Sequence, residues 1–433
     1  MKICHFTNTF LPHVGGVARA VQTLLEAQRR ARHRVLVVAP EFEAGTAPQA
    51  IERSVVRIPA ITNFNRSSFS VRIPGAALFA KKLNGFPTDI IHAHHPFLLG
   101  DSALREAASR QVPIVFTHHT LYEHYVHYLP LEIKTAGDIA AEVATRFANR
   151  CAAVIAPSES VRDLIVSRGV TVPIHIVPTG IDTAVIAKGN GSRARTKWKL
   201  PPDALVIGHV GRLADEKNLP FLTQAICCAI RRRPKTCALI VGVGSAREAM
   251  IQLCADQGVA TRVCFTGLLT GSALRDARAA MDLFAFASQS ETQGLVLAES
   301  MAVGTPVIAL DGPGVREIVR GRKNGRLLSA DASVENFARA LVGALQAKIA
   351  RRRWSQAARA TAAALDRRLT SQRLLKVYDE VVAAHRQAHR EETDIVHSLA
   401  PVIERLVIEG LIIADMSSAL FASAPPASQS TPT

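Results

Sequence analysis

One stretch of the chain places a glycine turn and a helix start between two apolar segments. Residues 283–287 and 305–309 are short and apolar, which predicts two buried strands. Gly294 follows a polar stretch and precedes an apolar run, so we expect a helix that begins near it. A strand, a helix and a second strand in this order predict a βαβ unit, and therefore an α/β fold with a parallel sheet.

Two carboxylates accompany this turn. Glu291 precedes Gly294, and Glu299 follows it, eight residues after the first carboxylate. The first N–H groups of a helix and its positive dipole end attract an anion, and carboxylates accept hydrogen bonds from hydroxyl groups. A diphosphate between hydroxyl-rich groups, as in a nucleotide sugar, would use all of these. In the simpler interpretation, Glu291 is an exposed carboxylate at the helix start and Glu299 is a solvated helix residue.

The motif ETQGLVLAESMAVGTPV, residues 291–307, resembles the E-x7-E signature of retaining glycosyltransferases of family 4. That resemblance implies the GT-B fold, in which two Rossmann-like, doubly wound parallel-sheet domains face each other across a cleft. The length of 433 residues agrees with two domains, because one hydrophobic core seldom serves so long a chain.

The resemblance also divides the chain into segments. It implies an N-terminal acceptor-binding domain, a polar and glycine-rich linker, a nucleotide-sugar-binding domain, a C-terminal helix that crosses back to the first domain, and an extra tail. In order, these segments are residues 1–187, 188–200, 201–370, 371–390 and 391–433. The end of the tail is rich in Ser, Pro and Ala, and we expect it to be disordered in part.

Composition limits the choice of partner and compartment. The net charge of +16 indicates an acidic partner, which could be nucleic acid, an anionic membrane surface or a phosphorylated substrate. The seven cysteines lack C-x-x-C spacing and lie mostly among apolar residues, so we expect buried thiols in a reducing compartment. The first residues do not resemble a signal peptide, and no apolar run reaches membrane-spanning length. We therefore expect a cytoplasmic protein with peripheral membrane contact.

Three features of the N-terminal half bear on ligand and membrane binding. Gly15 and Gly16 lie at a strand-to-helix turn, where paired glycines let the backbone approach a ligand. The basic cluster at residues 29–34 suits either the solvated end of a helix or an anionic membrane face. Residues 61–86 interleave aromatic rings with cations, which fits a lipid-facing surface and equally an ordinary surface segment.

A strand over 113–117 leads into the stretch HHTLYEHYVHY, residues 118–128, which holds three of the chain's four tyrosines. Rings and hydroxyls at the carboxyl end of a strand can bind polyols or a glycerol headgroup. Zinc is the competing interpretation, because histidines recur here and at His92, His94 and His95. No cysteine or carboxylate completes a zinc set at the usual spacing.

The same stretch is similar to the acceptor-side motif of bacterial diacylglycerol glucosyltransferases within family 4. The resemblance implies that His119 lies near the reacting sugar carbon and orients the sugar. It also implies an acceptor-binding set that consists of Tyr122, Glu123, Tyr125, His127 and Tyr128.

Two cations follow the first predicted strand of the second domain. Arg212 and Lys217 lie in the segment GRLADEK, which resembles the family's G-R-L-x-x-x-K motif. A guanidinium and an ammonium together neutralise a diphosphate and stabilise its charge as it leaves a sugar, although surface charge on a loop is the simpler interpretation. The predicted catalytic set is His119, Arg212, Lys217 and Glu291. The predicted donor-binding set is Gly15, Gly16, Arg212, Lys217, Gly294, Leu295 and Glu299.

The expected reaction follows from these sets. The sequence contains no Asp-x-Asp pair to hold a divalent ion, so we expect metal-independent transfer without a cofactor. The resemblance implies retention at the anomeric carbon and transfer of glucose from UDP-glucose, a UDP-hexose, to a lipid acceptor such as 1,2-diacylglycerol, at the inner face of the cell membrane.

Other substrates and one other class of function stay open. UDP-galactose and UDP-glucuronate are alternative donors. The alternative enzyme is a family 4 mannosyltransferase or other glycosyltransferase that acts on phosphatidylinositol or a polysaccharide precursor. A basic nucleic-acid-binding or membrane-binding protein without catalysis is the alternative from a different class. Because the cations are scattered over both halves of the chain, we expect no nucleic-acid partner.

Overall fold

The computed structural model describes most of the chain. The described residues are 1–13, 15–42, 49–61, 71–72, 83, 85–124, 136–391, 407–409 and 411. The chain divides into two compact units, of which the first holds residues 1–157, 161–177 and 371–433, and the second holds residues 158–160 and 178–370. Within the described residues, no helix combines the length and apolar character that a membrane span requires.

The first unit is organised around one parallel sheet. Its strands are β1 (Lys2–Phe6), β2 (Arg34–Pro40), β3 (Val55–Ile58), β4 (Ala60–Ile61), β5 (Val71–Arg72), β6 (Ile90–Ala93), β7 (Ile114–Thr117), β8 (Ala153–Ala156) and β9 (Ile174–Ile176). Seven of them form the sheet in the order β3-β2-β1-β6-β7-β8-β9, and β4 pairs with β5. The strand order reverses between β1 and β6, so the carboxyl ends of these strands form the switch point at which such sheets bind ligands.

Helices pack on both faces of this sheet. They are α1 (Gly16–Arg30), α2 (Gln49–Glu52), α3 (Leu99–Arg110), α4 (Ala136–Ala148) and α5 (Glu159–Ser167). Alternate side chains of a strand point to opposite faces. Cys4 and Phe6 of β1 therefore join one core cluster with Leu104 of α3, whereas Ile3 joins another with Tyr378. By the same alternation, His5 lies on the face of Ile3.

The second unit repeats this plan. Its strands are β10 (Leu205–Val210), β11 (Thr236–Val241), β12 (Val263–Phe265), β13 (Leu283–Phe286), β14 (Val307–Leu310) and β15 (Gly325–Leu328). They form a parallel sheet in the order β12-β11-β10-β13-β14-β15. This order reverses between β10 and β13, which gives the second sheet its own switch point. The prediction of an α/β fold with two doubly wound sheets is confirmed.

The helices of the second unit begin earlier in the chain than we expected. They are α6 (Thr183–Ile186), α7 (Gly191–Lys197), α8 (Leu219–Arg232), α9 (Arg247–Asp256), α10 (Gly271–Ala279), α11 (Leu295–Ala302), α12 (Val334–Gln346) and α13 (Lys348–Ala363). In place of a linker over 188–200, the structure has α7, whose first turn is capped by Asn190 through a 3.0 Å hydrogen bond from the Arg193 amide. Ala194 and Leu200 are buried in the core of this unit, because the apolar positions of the segment pack even though its overall composition is polar.

The last long helix is α14 (Arg367–Glu391). From Ser371 onward it belongs to the first unit, where Leu374, Val377 and Tyr378 are buried in the same cluster as Ile3. It covers the C-terminal helix predicted over 371–390. Of the predicted tail, 391–433, the structure describes residues 391, 407–409 and 411, and Arg105 Nη2 donates to Glu409 Oε2 at 2.9 Å.

We expect Gly325→Ala to destabilise the second unit, because a Cβ on Gly325 would lie 1.9 Å from the main-chain oxygen of Val307. The backbone of β14 or β15 must move to relieve this contact, at a cost of about 1–3 kcal/mol. The matched control is Gly343→Ala in α12, where nothing lies within 4 Å of the added carbon and the change should stabilise by about 0.5–1 kcal/mol. Thermal unfolding of both variants measures the difference. Equal melting temperatures for the two would contradict this account of the strand pair.

Candidate functional site

The centre of the candidate site is an ion pair at the switch point of the second sheet. The loop after β10 contains the short helical turn Asp215–Lys217, and the loop after β13 contains Glu291. Lys217 Nζ donates to Glu291 Oε1 at 2.7 Å, and the two side chains are only 14% and 19% exposed. Two residues that the sequence predicted to act together are thus in direct contact.

Several groups hold the Glu291 carboxylate in its ionised form. Ser288 Oγ donates to Glu291 Oε1 at 3.1 Å, beside the bond from Lys217. Burial raises the pKa of the Glu291 carboxyl, but the Lys217 charge, the hydrogen bonds from Lys217 and Ser288, and the Arg212 charge together lower the pKa below its usual value. Glu291 is therefore negative at neutral pH.

Arg212 lies on the loop after β10, close enough for its charge to act on Glu291. Its guanidinium forms an ion pair with Glu216 and is 39% exposed. The main-chain oxygen of Glu216 accepts a hydrogen bond from Ser290 Oγ at 3.1 Å. This contact ties the loop after β10 to the loop after β13, so the two cations and Glu291 belong to one connected group.

Helix α11 begins immediately after Gly294, as the sequence predicts. Gly294 has φ 68° and ψ 48°, in the left-handed region, and a Cβ there would lie 2.9 Å from Leu297 Cδ1. Glycine adopts this conformation without strain. The first N–H groups of any helix lack intrahelical acceptors and carry the positive end of its dipole. The amide of Leu295, a half-buried residue, is the first of them, so the turn can bind an anion.

Glu299 lies farther along α11 and forms an ion pair with Arg278 of α10. The Arg278 side chain is only 3% exposed, so removing Glu299 would leave a buried charge unbalanced. The predicted role of Glu299 in donor binding stays a prediction. Arg278 itself is a residue that the sequence did not point to.

The two glycines predicted to face the donor lie at the start of α1 in the first unit. Gly15 caps α1 in an extended conformation, with φ −162°. A Cβ on Gly15 would lie 2.9 Å from His13 Nε2, whereas nothing lies within 4 Å of one on Gly16. The His13 ring can move away from such a Cβ, so packing requires a glycine at neither position, and donor contact by either glycine stays a prediction.

His119 follows β7 at the edge of the first unit's core. It is half-buried, and its Nε2 lies 2.9 Å from His94 Nδ1. Burial, followed by the neighbouring His95 and His118, lowers the pKa of His119 to about 3. His119 is therefore a neutral imidazole at pH 7, which can both donate and accept a hydrogen bond.

The predicted acceptor-binding residues have different surroundings. Tyr122 is buried in the core, with its ring edge-to-face on Phe97 at a centroid distance of 5.3 Å. The ring of Tyr122 therefore contributes to packing, and its role in acceptor binding stays a prediction. Glu123 accepts from Arg168 Nη2 at 2.6 Å. Tyr125, His127 and Tyr128 lie outside the described residues.

Sequence reasoning missed the residues that support the predicted ones. Ser288 and Glu216 contact Glu291 and Arg212 respectively, and Arg278 balances Glu299. Serines and charged residues are common on exposed loops and helices, so nothing in their type or spacing distinguished them. The repeated polar residues of SQSE, residues 288–291, directly after an apolar strand, were the one available signal.

Comparison with known proteins now decides the family. Residues 14–185 match the profile "Glycosyltransferase Family 4", and residues 192–361 match "Glycosyl transferases group 1". A GDP-mannose-dependent alpha-mannosyltransferase of Mycolicibacterium smegmatis is 30% identical over 388 residues, which cover 88% of this chain and 98% of that protein. The chain belongs to glycosyltransferase family 4. It is accordingly a hexosyltransferase, as the sequence predicted.

A further relative supports this membership, and a solved structure supports the fold. The glycosyltransferase is 29% identical over 336 residues to an alpha-monoglucosyldiacylglycerol synthase of Streptococcus pneumoniae, covering 76% of this chain and 75% of that protein. The solved structure of Anabaena HepE in complex with UDP-glucose has a TM-score of 0.70 at 21% identity, over 88% of this chain and 100% of that one. The GT-B fold expected from the sequence is therefore confirmed.

We expect Glu291→Gln to destabilise the glycosyltransferase by about 1–2 kcal/mol at pH 7, because Lys217 loses its partly buried counter-charge. The lowered pKa of Glu291 gives this effect a pH dependence. Its stabilisation is complete above the ordinary carboxyl pKa of about 4.3 and is lost as the pH falls through the lowered folded value. Urea unfolding of both proteins from pH 7 down to about pH 3 measures the difference.

The control for this prediction is Glu248→Gln, which removes the acidic partner of Arg247 from a pair whose glutamate is 79% exposed. Such a pair contributes little, so its loss should change stability by less than about 0.5 kcal/mol at pH 7. A destabilisation by Glu291→Gln that stays constant down to the lowest pH would contradict the assignment of the effect to the Glu291 charge.

Proposed function

We propose that this glycosyltransferase transfers glucose from UDP-glucose to a hydroxyl group of a membrane lipid such as 1,2-diacylglycerol, with retention at the anomeric carbon and without a metal ion. The observation that carries the proposal is the Lys217–Glu291 pair beside the first turn of α11. A cation, an ionised carboxylate and a helix N-terminus at one switch point provide complementary groups for a diphosphate and for sugar hydroxyls.

The proposed role of the cations is to stabilise the leaving group. As the bond from the sugar to the diphosphate breaks, negative charge grows on the diphosphate oxygens, and fixed cations lower the energy of that transition state. Arg212 and Lys217 provide two such charges, and the amides after Gly294 provide the dipole of α11. Glu291 keeps Lys217 in position and accepts a hydrogen bond from the donor sugar.

The proposed acceptor rests on the relatives and on surface charge. The related protein of S. pneumoniae is named an alpha-monoglucosyldiacylglycerol synthase, and the HepE structure contains UDP-glucose. The net charge of this chain is +16, and exposed arginines occur at the end of α1, at Arg30 and Arg32. Such cations attract an anionic lipid surface by about 1 kcal/mol each when they lie near it.

A second candidate is mannose transfer from GDP-mannose. A relative that covers 88% of this chain is named a GDP-mannose-dependent alpha-mannosyltransferase. Both reactions use a nucleoside diphosphate leaving group, so the Lys217–Glu291 pair serves either one. The donor base and the sugar distinguish them, and only a direct comparison of donors can separate the two.

We expect Arg212→Ala and Lys217→Ala to lower kcat by about 10²- to 10³-fold, because each removes about 2.7–4 kcal/mol of transition-state stabilisation. The matched control is Arg232→Ala at the last turn of α8, a similarly exposed arginine that is paired with Glu335 at 2.6 Å. Steady-state kinetics with saturating donor measures kcat for all three. A kcat within threefold of the wild type for both test variants would remove these cations from the chemistry.

We expect labelled glucose to move from UDP-glucose into a chloroform-soluble product when 1,2-diacylglycerol is present in mixed micelles. The measurement uses radiolabelled UDP-glucose, UDP-galactose, UDP-glucuronate and GDP-mannose, each with diacylglycerol or phosphatidylinositol, followed by thin-layer chromatography. Activity should persist in EDTA and should rise when anionic lipid is added to the micelles, because the basic surface then concentrates the enzyme at its acceptor.

The other outcomes of this panel have definite meanings. Label transfer from GDP-mannose alone would replace the proposed donor with the second candidate. Transfer to phosphatidylinositol alone would replace the acceptor. Loss of activity in EDTA, restored by a divalent ion, would overturn metal independence and leave the rest of the proposal intact.

A further inference from the structure

A continuous row of buried hydrogen bonds connects His119 to the interior of the first unit. His119 Nε2 lies 2.9 Å from His94 Nδ1, and His94 Nε2 lies 2.9 Å from His5 Nδ1. His5 Nε2 in turn lies 2.8 Å from Gln28 Oε1. His5, His94 and Gln28 are fully buried. We call these four residues the imidazole row.

The amide oxygen at the inner end sets the direction of every bond in the row. Gln28 Oε1 can only accept, so His5 must donate through Nε2–H. A neutral imidazole carries one N–H, so His5 Nδ1 accepts from His94 Nε2–H. By the same step, His94 Nδ1 accepts from His119 Nε2–H. His119 is left with its lone pair on Nδ1.

Burial keeps the row neutral, which this deduction requires. Burial lowers the pKa of His5 to about 4, and the Gln28 hydrogen bond only partly offsets it. Burial, followed by the neighbouring His92 and His119, lowers the pKa of His94 well below its usual value. At pH 7, each ring therefore has one donor nitrogen and one acceptor nitrogen.

A metal ion is the other chemistry that clustered imidazoles suggest. His5, His92 and His94 each offer a nitrogen within 4.8 Å of the others. In the structure, however, both nitrogens of each ring already face hydrogen-bonding groups. His92 is hydrogen-bonded to Thr117 Oγ1 at 2.6 Å and to the Tyr378 hydroxyl. The rings of His5 and His94 are hydrogen-bonded within the imidazole row. A metal could bind only by displacing these partners, so the hydrogen bonds favour the row.

We propose that Gln28, His5 and His94 are positioning residues that hold His119 in the Nε2–H tautomer, so that His119 Nδ1 accepts a hydrogen bond from a sugar hydroxyl. The inference rests on the proposed function, since it assigns the atom with which His119 would contact the sugar. It adds a specific consequence. The residue that decides the tautomer is Gln28, which lies on α1 and is separated from His119 by two other side chains.

The first test reads the tautomers directly. Two-bond ¹⁵N–¹H correlation spectra of the full chain labelled with ¹⁵N-histidine distinguish Nε2–H from Nδ1–H rings, and His5→Gln, His94→Gln and His119→Gln assign the signals. We expect His5, His94 and His119 to be neutral Nε2–H tautomers at pH 7. An Nδ1–H signal for His119 would overturn the proposal. Displacement of these signals by one equivalent of Zn²⁺ would also overturn it, in favour of a metal site.

The second test distinguishes the effect of hydrogen-bond direction on kcat from the effect of packing on stability. Gln28→Met removes the acceptor while keeping the side-chain length, so His5 and His119 lose their fixed tautomer. We expect Gln28→Met to lower kcat about 10- to 100-fold with an unchanged KM for the donor, as when a residue that fixes a catalytic tautomer is lost. The tautomer spectra of Gln28→Met should show His5 and His119 as mixtures of the Nε2–H and Nδ1–H forms.

The control is Thr117→Val, which removes a buried hydrogen bond from His92 without touching the row. It should lower the melting temperature about as much as Gln28→Met and leave kcat unchanged. Equal loss of kcat in both variants would reduce Gln28 to a structural role and overturn the proposal. If no donor and acceptor react with the wild-type protein, the proposed function fails, yet the tautomer spectra, which need no substrate, still decide the row.

Discussion

The candidate site depends on one constraint, the single reversal of strand order in each parallel sheet. In the second sheet the reversal lies between β10 and β13, so the loops that leave these neighbouring strands diverge to opposite faces and open a crevice between them. This brings Lys217 to Glu291 although 74 positions separate them in the chain. In the first sheet the reversal lies between β1 and β6, which sets His5 directly beside His92. In each unit, the sheet topology therefore brings together polar side chains that are distant in the sequence.

The two units offset the free-energy cost of burying polar groups in different ways. In the second unit the charges are kept and paired, because Lys217 with Glu291 and Arg278 with Glu299 each place a cation on a carboxylate. A buried ion costs several kcal/mol unless such a partner is present. In the first unit burial is the largest cause of the lowered pKa values of His5 and His94, and it keeps these rings neutral. Hydrogen bonds between the rings then satisfy donors and acceptors that water would otherwise serve.

Sequence reasoning reached the fold and the centre of the site because both follow from local patterns. Apolar runs after turn residues predicted the strands, and Gly294 predicted the start of α11, which begins at Leu295. Sequence reasoning did not predict the side-chain contacts that depend on tertiary packing. Arg278 and Glu299 are far apart in the sequence and form an ion pair only in the fold. Tyr122, which the resemblance placed in the acceptor-binding set, is buried in the core. The imidazole row is similar, since the recurrence of histidines suggested zinc as a competing interpretation, whereas the hydrogen bonds between the rings depend on strand register.

The contrast between charged and neutral groups has a chemical reason under the proposed reaction. When a glycosyl bond breaks, the sugar ring gains positive charge while the leaving group gains negative charge. Cations are useful at the diphosphate, where Arg212 and Lys217 would act, and harmful beside the sugar. A histidine at the sugar must therefore stay uncharged at physiological pH, and an isolated exposed imidazole with a pKa of about 6.5 does so only in part. Burial, followed by the neighbouring His95 and His118, lowers the pKa of His119 and removes that residual charge. Burial of these polar residues thus costs stability but helps to keep His119 neutral, as its proposed contact with the sugar requires.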